Sequence, residues 1–156
     1  MPLEKAKEKI VNYRIVNVKY LNYFENNFHD YEISNIFTKD TKIELSTTPE
    51  FDLPKGIVSI GLKVVVSHLK GDKKFLLFGI ETVHSFEIKN FKKLFPLKNG
   101  KCVIPDSLMI PFINISISGT RGMLAVKNSI PEYAKHPLPI ISPNNILMGL
   151  KKNVAG

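Results

Sequence analysis

Apolar and polar positions alternate most regularly in residues 56–88. Over residues 57–68, Val58, Ile60, Leu62, Val64 and Val66 alternate with Ser59, Gly61, Lys63 and Ser67. Strand side chains point to opposite faces with period two, so this run predicts a strand with one apolar and one mostly wet face. Lys70-Gly71-Asp72-Lys73 reads as a tight polar turn. The return run, residues 75–88, carries apolar side chains in both phases: Leu76, Phe78, Ile80, Phe86 and Ile88 in one, Phe75, Leu77 and Val83 in the other. A single antiparallel sheet normally needs only one apolar face. The surplus therefore predicts a cover over the second face: a helix, another subunit or a ligand.

The flanking segments read as follows. Residues 3–10 form a short helix or tail. Tyr13–Glu25 is a strand, broken by Asn26-Asn27. Residues 28–41 make a longer aromatic connection with a little strand at 33–37. Residues 42–46 alternate as a short strand, with Ile43 and Leu45 on one face and Lys42 and Glu44 on the other. Pro49, Pro54 and Gly56 mark residues 47–56 as a loop. After the hairpin, residues 90–95 suit one helical turn. Residues 103–119 fit two readings: Ile113, Ile115 and Ile117 alternate as in a strand, while Leu108, Phe112 and Ile115 share a helix face that Pro111 would kink. Arg121-Gly122 ends that segment. Residues 131–143, with Pro131, Pro137, Pro139 and Pro143, are extended, and residues 143–152 form a short amphipathic helix.

Length and composition narrow the class. The 156 residues are expected to form one domain, with residues 1–12 as its tail, and 44% apolar content suffices for a core. The N-terminal MPLEKAKEKI lacks the apolar stretch of a signal peptide, and no apolar run is long enough for a membrane helix. With one cysteine, Cys102, the expectation is a cytoplasmic protein without membrane insertion. The net charge of +8 is uneven: residues 1–88 hold twelve basic and twelve acidic side chains, while residues 89–156 hold ten basic and two acidic ones. Such asymmetry marks a polyanion surface or an acidic partner, or simply keeps an oligomer soluble. A nucleic-acid-binding reading would use Lys89, Lys92, Lys93, Lys98, Lys101 and Arg121, with Phe91 or Phe95 stacking on bases.

Motifs for catalysis are absent: no GxGxxG, phosphate loop, HExxH or metal-spaced cysteine pair occurs. His29, His68, His84 and His136 are far apart in sequence. His68 and His84 fall in paired strands and, with Glu81 or Glu87, would be the one candidate metal set; ordinary strand histidines are the expectation. Cys102 lacks a marked partner base, and Asp40 and Glu44 make no acid–base pair. The chain does not read as an enzyme, and no cofactor is expected.

The order of elements resembles the SecB family of protein-export chaperones. KIELSTTPEFDLPKGIVSIGLKVVV, residues 42–66, matches the family's short strand, polar loop and long alternating strand. The hairpin return, a proline-containing helix, Arg121-Gly122, a proline-containing extended segment and ISPNNILMGLKK at 141–152 continue the pattern. The resemblance covers roughly residues 13–152. It implies an α+β subunit, a four-stranded antiparallel sheet with helices packed on one face, and reads residues 103–119 as a kinked helix. It further implies a homotetramer, a dimer of dimers, that binds unfolded or nascent chains in hydrophobic grooves without ATP or any cofactor. The groove residues expected here are Phe28, Tyr31, Ile33, Phe37, Ile43 and Leu45, faced by Ile146, Leu147 and Leu150. Familiar SecB proteins are acidic and dock the SecA motor on their sheet. This chain is basic, and Glu25 is the one carboxylate of its first strand that falls near those acidic positions. Divergent relatives act as dedicated chaperones of toxin–antitoxin pairs, so the SecA motor or an antitoxin is the implied partner. Nucleic acid is the alternative partner.

Overall fold

The computed structural model describes residues 11–135 and 138. The chain is α+β. Strand β1 (Tyr13–Glu25) is followed by a 3-10 turn (Phe28–Tyr31), β2 (Thr41–Asp52), β3 (Ile57–Lys70) and β4 (Lys73–Ile88). Among the described residues three helices follow: α1 (Phe91–Leu94), α2 (Asp106–Lys127) and α3 (Pro131–Ala134). The four strands form one antiparallel sheet in the order β1-β4-β3-β2. The apolar hairpin β3–β4 thus occupies the centre, and β1 and β2 are the two edges.

Helix α2 lies on the face made by Val58, Ile60, Leu62, Phe86 and Ile88, and buries Leu108, Met109, Phe112, Ile113 and Ile117 against them. Its buried positions recur at three- and four-residue steps, the pattern of a one-sided helix. Pro111 sits inside this helix, as the helical reading of 103–119 requires. The helix runs on through Arg121 and Gly122 to Lys127, past the end expected from sequence. Its polar residues are satisfied internally: Ser116 Oγ donates to the Phe112 carbonyl and Thr120 Oγ1 to the Ser116 carbonyl, both at 2.8 Å. Thr120 and Thr82 share a buried hydroxyl–hydroxyl bond of 2.7 Å that ties the helix to β4. By length and apolar composition alone, α2 could also pass for a membrane span. Six of its apolar residues, Leu108, Met109, Phe112, Ile113, Ile117 and Leu124, are buried in the core.

A second cluster lies under the connection from β1 to β2. It joins Phe28, Ile33, Val64, Val66, Leu77, Phe78, Ile80, Leu124 and Tyr133. The little strand expected at 33–37 does not form.

Two strand readings are corrected. First, the apolar surplus of β4 does not make a continuous second face, on which only Val83 and Leu76 lie. Val66 pairs with Phe78 but Ser67 pairs with Leu76, so Leu77 is an extra residue, a bulge. The bulge resets the alternation. Leu77 joins Phe78 in the core, Phe75 follows onto the helix-covered face opposite His68, and Leu76 turns to the open face. Second, residues 47–52 are strand rather than loop. Thr47, Pro49 and Phe51 continue the alternation begun at Ile43 and Leu45, opposite Leu62, Ile60 and Val58. Pro49 has no N–H to give, and an edge strand tolerates that.

Candidate functional site

The covered face is four strands wide, and one long helix lies on it over the two central strands. Cross-strand partners share a face, so the register shows what lies on either side. On the β1 side, Tyr13, Ile15, Val18 and Tyr20 pair with Ile88, Phe86, His84 and Thr82 and point to the α2 side. They remain open to solvent, Tyr20 by half. Tyr13 packs edge-on to Phe112 with ring centroids 4.8 Å apart. Lys127 Nζ stands 3.6 Å above the Tyr20 ring, a cation–π contact closing the far end. On the β2 side, Ile43, Leu45, Thr47, Pro49 and Phe51 form a second strip, with Phe51 49% exposed. Two apolar strips thus flank α2, each along a sheet edge.

The open face is different. Asn17, Lys19, Leu21, Ser59, Lys63 and Val83 help line a trough of about 540 Å³ that mixes polar and apolar side chains. Ser59 and Ser85 share a 2.7 Å hydrogen bond across its floor, and Lys63 pairs with Glu81 at 3.4 Å.

The sequence-predicted groove residues divide. Phe28 and Ile33 are buried in the second cluster, so they are core rather than lining. The 3-10 turn explains Phe28: Asn27 Oδ1 accepts from the His29 N–H at 3.1 Å and turns the Phe28 ring inward onto Tyr133. Tyr31, Phe37 and Leu45 are half-buried at the margin of that cluster, with Tyr31 against Phe75 at 4.8 Å. Ile43 is exposed beside Leu45 on the same strand face. Phe37 has a φ of 59°, a left-handed conformation that is rare for an aromatic residue. Ile146, Leu147 and Leu150 lie outside the described residues. The β1 strip and the continuation to Phe51 were missed. Alternation at Thr47, Pro49 and Phe51 was the available signal, masked by the proline.

Ionisable groups are structural where their partners are seen. Burial raises the Glu25 carboxyl, but hydrogen bonds outweigh it and hold it below its ordinary value. The Ser129 hydroxyl donates to it at 2.7 Å, and the Ile130 and Ser129 N–H groups at 2.8 and 3.0 Å. Glu25 therefore fastens the end of β1 to the chain leaving α2. Tyr23 adds a bond to Asn128 Oδ1 at 2.8 Å. His84 is buried with neither ring nitrogen hydrogen-bonded, and burial pushes its imidazole down. His68 pairs with Phe75, nine positions along β4 from His84, or roughly 30 Å at strand spacing. The two do not meet, and among the described residues no His, Cys, Asp and Glu cluster could hold a metal. The Cys102 thiol, half-buried, donates to the Phe95 carbonyl at 3.6 Å. Phe91 is buried, and Phe95, part-buried, packs against it at 5.6 Å, so both rings are engaged with the core. Arg121, the arginine of the nucleic-acid reading, donates to the Leu138 carbonyl at 3.1 Å.

No family model matches the chain, and no curated protein matches it. Among solved structures, the chain is similar to a protein of unknown function from Streptococcus agalactiae, at 14% identity, over 85% of this chain and 98% of that one, with a TM-score of 0.28.

Proposed function

We propose that the protein is a SecB-like holding chaperone that binds extended, non-native polypeptide segments without nucleotide or cofactor. One observation carries the reading: the apolar phase of the sheet runs to both edges, while α2 packs mainly on β3 and β4 and leaves the side chains of both edge strips part-exposed. An apolar strip beside a strand edge offers a client both side-chain burial and backbone hydrogen bonds. The β2 strip, with Tyr31 and Phe37 at its margin, is the client surface. Phe28 and Ile33 hold it from beneath. Tyr31, Phe37, Ile43, Leu45 and Phe51 are adaptable aromatic and aliphatic side chains, suited to many sequences rather than one. Fitting clients are apolar extended segments, such as a precursor before export or an antitoxin before it folds.

The β1 strip is assigned to a second copy of the chain. Among the described residues its outer edge pairs with no strand, and its exposed apolar side chains would template association. The assembly is a dimer or a dimer of dimers.

Suppression of aggregation of a chemically denatured protein tests the reading. Burial of a half-exposed Ile or Phe is worth about 1 kcal/mol. The Ile43→Ser/Phe51→Ser variant should therefore bind client about tenfold more weakly or worse, with an unchanged circular dichroism spectrum. Wild-type suppression by that variant, or no suppression by the parent chain, would overturn it.

A further inference from the structure

We infer that residues 89–105, the connection from β4 to α2, dock the protein on an anionic lipid surface, independently of the client-binding reading. The segment contains five lysines and no carboxylate. None of the four salt bridges among the described residues uses them: Glu87 pairs with Arg14, Asp52 with Lys55, Glu81 with Lys63 and Glu44 with Lys74. Asp106, at the start of α2, is the next carboxylate along the chain.

The segment is anchored on one side and bare on the other. Phe91 is buried in the core, and Leu94, Phe95, Cys102 and Ile104 pack against it. Asn99 and Gly100 both have positive φ, 53° and 72°, and Lys98 and Lys101 exchange backbone hydrogen bonds at 2.9 and 3.0 Å. This is the tight two-residue hairpin that an Asn-Gly pair favours. It sets Lys98 and Lys101 side by side on a projecting tip, where a Cβ on Gly100 would meet nothing within 4 Å. The outward side consists of Lys92, Lys93, Leu97, Lys98, Lys101 and Val103, with Leu97 60% and Val103 80% exposed.

That combination selects the partner. Lysines are point charges without the bidentate geometry that reads a defined phosphate or carboxylate. They suit a diffuse negative surface, where each adds attraction and the stems lie along the apolar boundary. Two bare aliphatic side chains flanking the tip, Leu97 and Val103, fit an acyl interface. A nucleic-acid strand calls for aromatic faces, and both local rings face the core.

Co-sedimentation of the full chain with vesicles tests the inference. The chain should pellet with mixed phosphatidylcholine–phosphatidylserine vesicles, not with pure phosphatidylcholine, and release as salt rises. Each lysine near such a surface is worth roughly a fivefold factor, so Lys98→Glu/Lys101→Glu should lower partitioning roughly 25-fold or more. Leu97→Ser/Val103→Ser should lower it several-fold while leaving the salt dependence intact. All four positions are exposed, and unchanged circular dichroism confirms folding. Equal binding to both vesicle types, or charged-vesicle binding that survives Lys98→Glu/Lys101→Glu, would overturn the inference. So would retention on single-stranded nucleic acid without vesicle binding.

Discussion

Gly119 and His84 set how closely α2 approaches the sheet. A Cβ on Gly119 would run into the His84 ring, whereas a Cβ on Gly122, one turn further, would meet nothing within 4 Å. Gly119→Ala should therefore destabilise the fold by about 1–3 kcal/mol through overpacking. Gly122→Ala should be neutral or stabilising by up to about 1 kcal/mol, the helix-propensity gain. Chemical denaturation of the two variants checks the contrast. The same contact makes His84 acid-sensitive. Its folded-state pKa lies below the ordinary 6.5, so the unfolded chain takes up the proton first. The stabilisation from neutral His84 is present above pH 6.5 and is lost as pH falls through the folded value. Val18 from β1, Ile60 from β3 and Gly119 from α2 surround it, and none offers a charge to hold the imidazolium. His84→Leu should remove the stability loss just below pH 6.5 and cost little at neutral pH, because no hydrogen bond is broken. Glu25, also depressed, contributes stability above its ordinary 4.5 that is lost at lower pH, so a separate step should remain there in the variant.

At the scale of elements, the sequence was most legible where alternation was uninterrupted. Strand β3 could be read directly, because its buried positions recur at period two; Tyr13 to Glu25 was legible as a strand, but bulges at Val16 and Leu21 break its alternation. Two features hid the rest. The bulge at Leu77 adds one residue without any glycine or proline to mark it, and every face assignment before it along β4 inverts. Pro49 carries a loop signal, but it sits where an edge strand needs no N–H. Periodicity left two readings of 103–119 open and the SecB resemblance implied the helical one, which α2 follows. The candidate surface was legible only in part. Composition marked Phe28 and Ile43 alike as apolar, while tertiary packing buries the first and leaves the second open. Phe28→Ser should cost at least about 3 kcal/mol in denaturant unfolding, and Ile43→Ser about 1 kcal/mol or less. Equal costs would remove the distinction between support and lining.

At the scale of the molecule, the proposed function divides the labour between the two edges: β1 for self-association and β2 for clients. Light scattering should give a species larger than the 17.6 kDa chain at micromolar concentration. A Val18→Lys/Tyr20→Lys variant should shift it toward the monomer. A monomeric parent would exclude the β1 assignment. The central claim is that clients lie on the α2 side of β2. Adjacent residues there point to opposite faces: Phe51 to the strip, opposite Val58, and Glu50 to the open-face trough, opposite Ser59. A photo-crosslinking side chain placed at each in turn, with a denatured client added, reads the face directly. Crosslinks from position 51 and none from position 50 are the predicted result; crosslinks from position 50 alone, or equally from both, would contradict it.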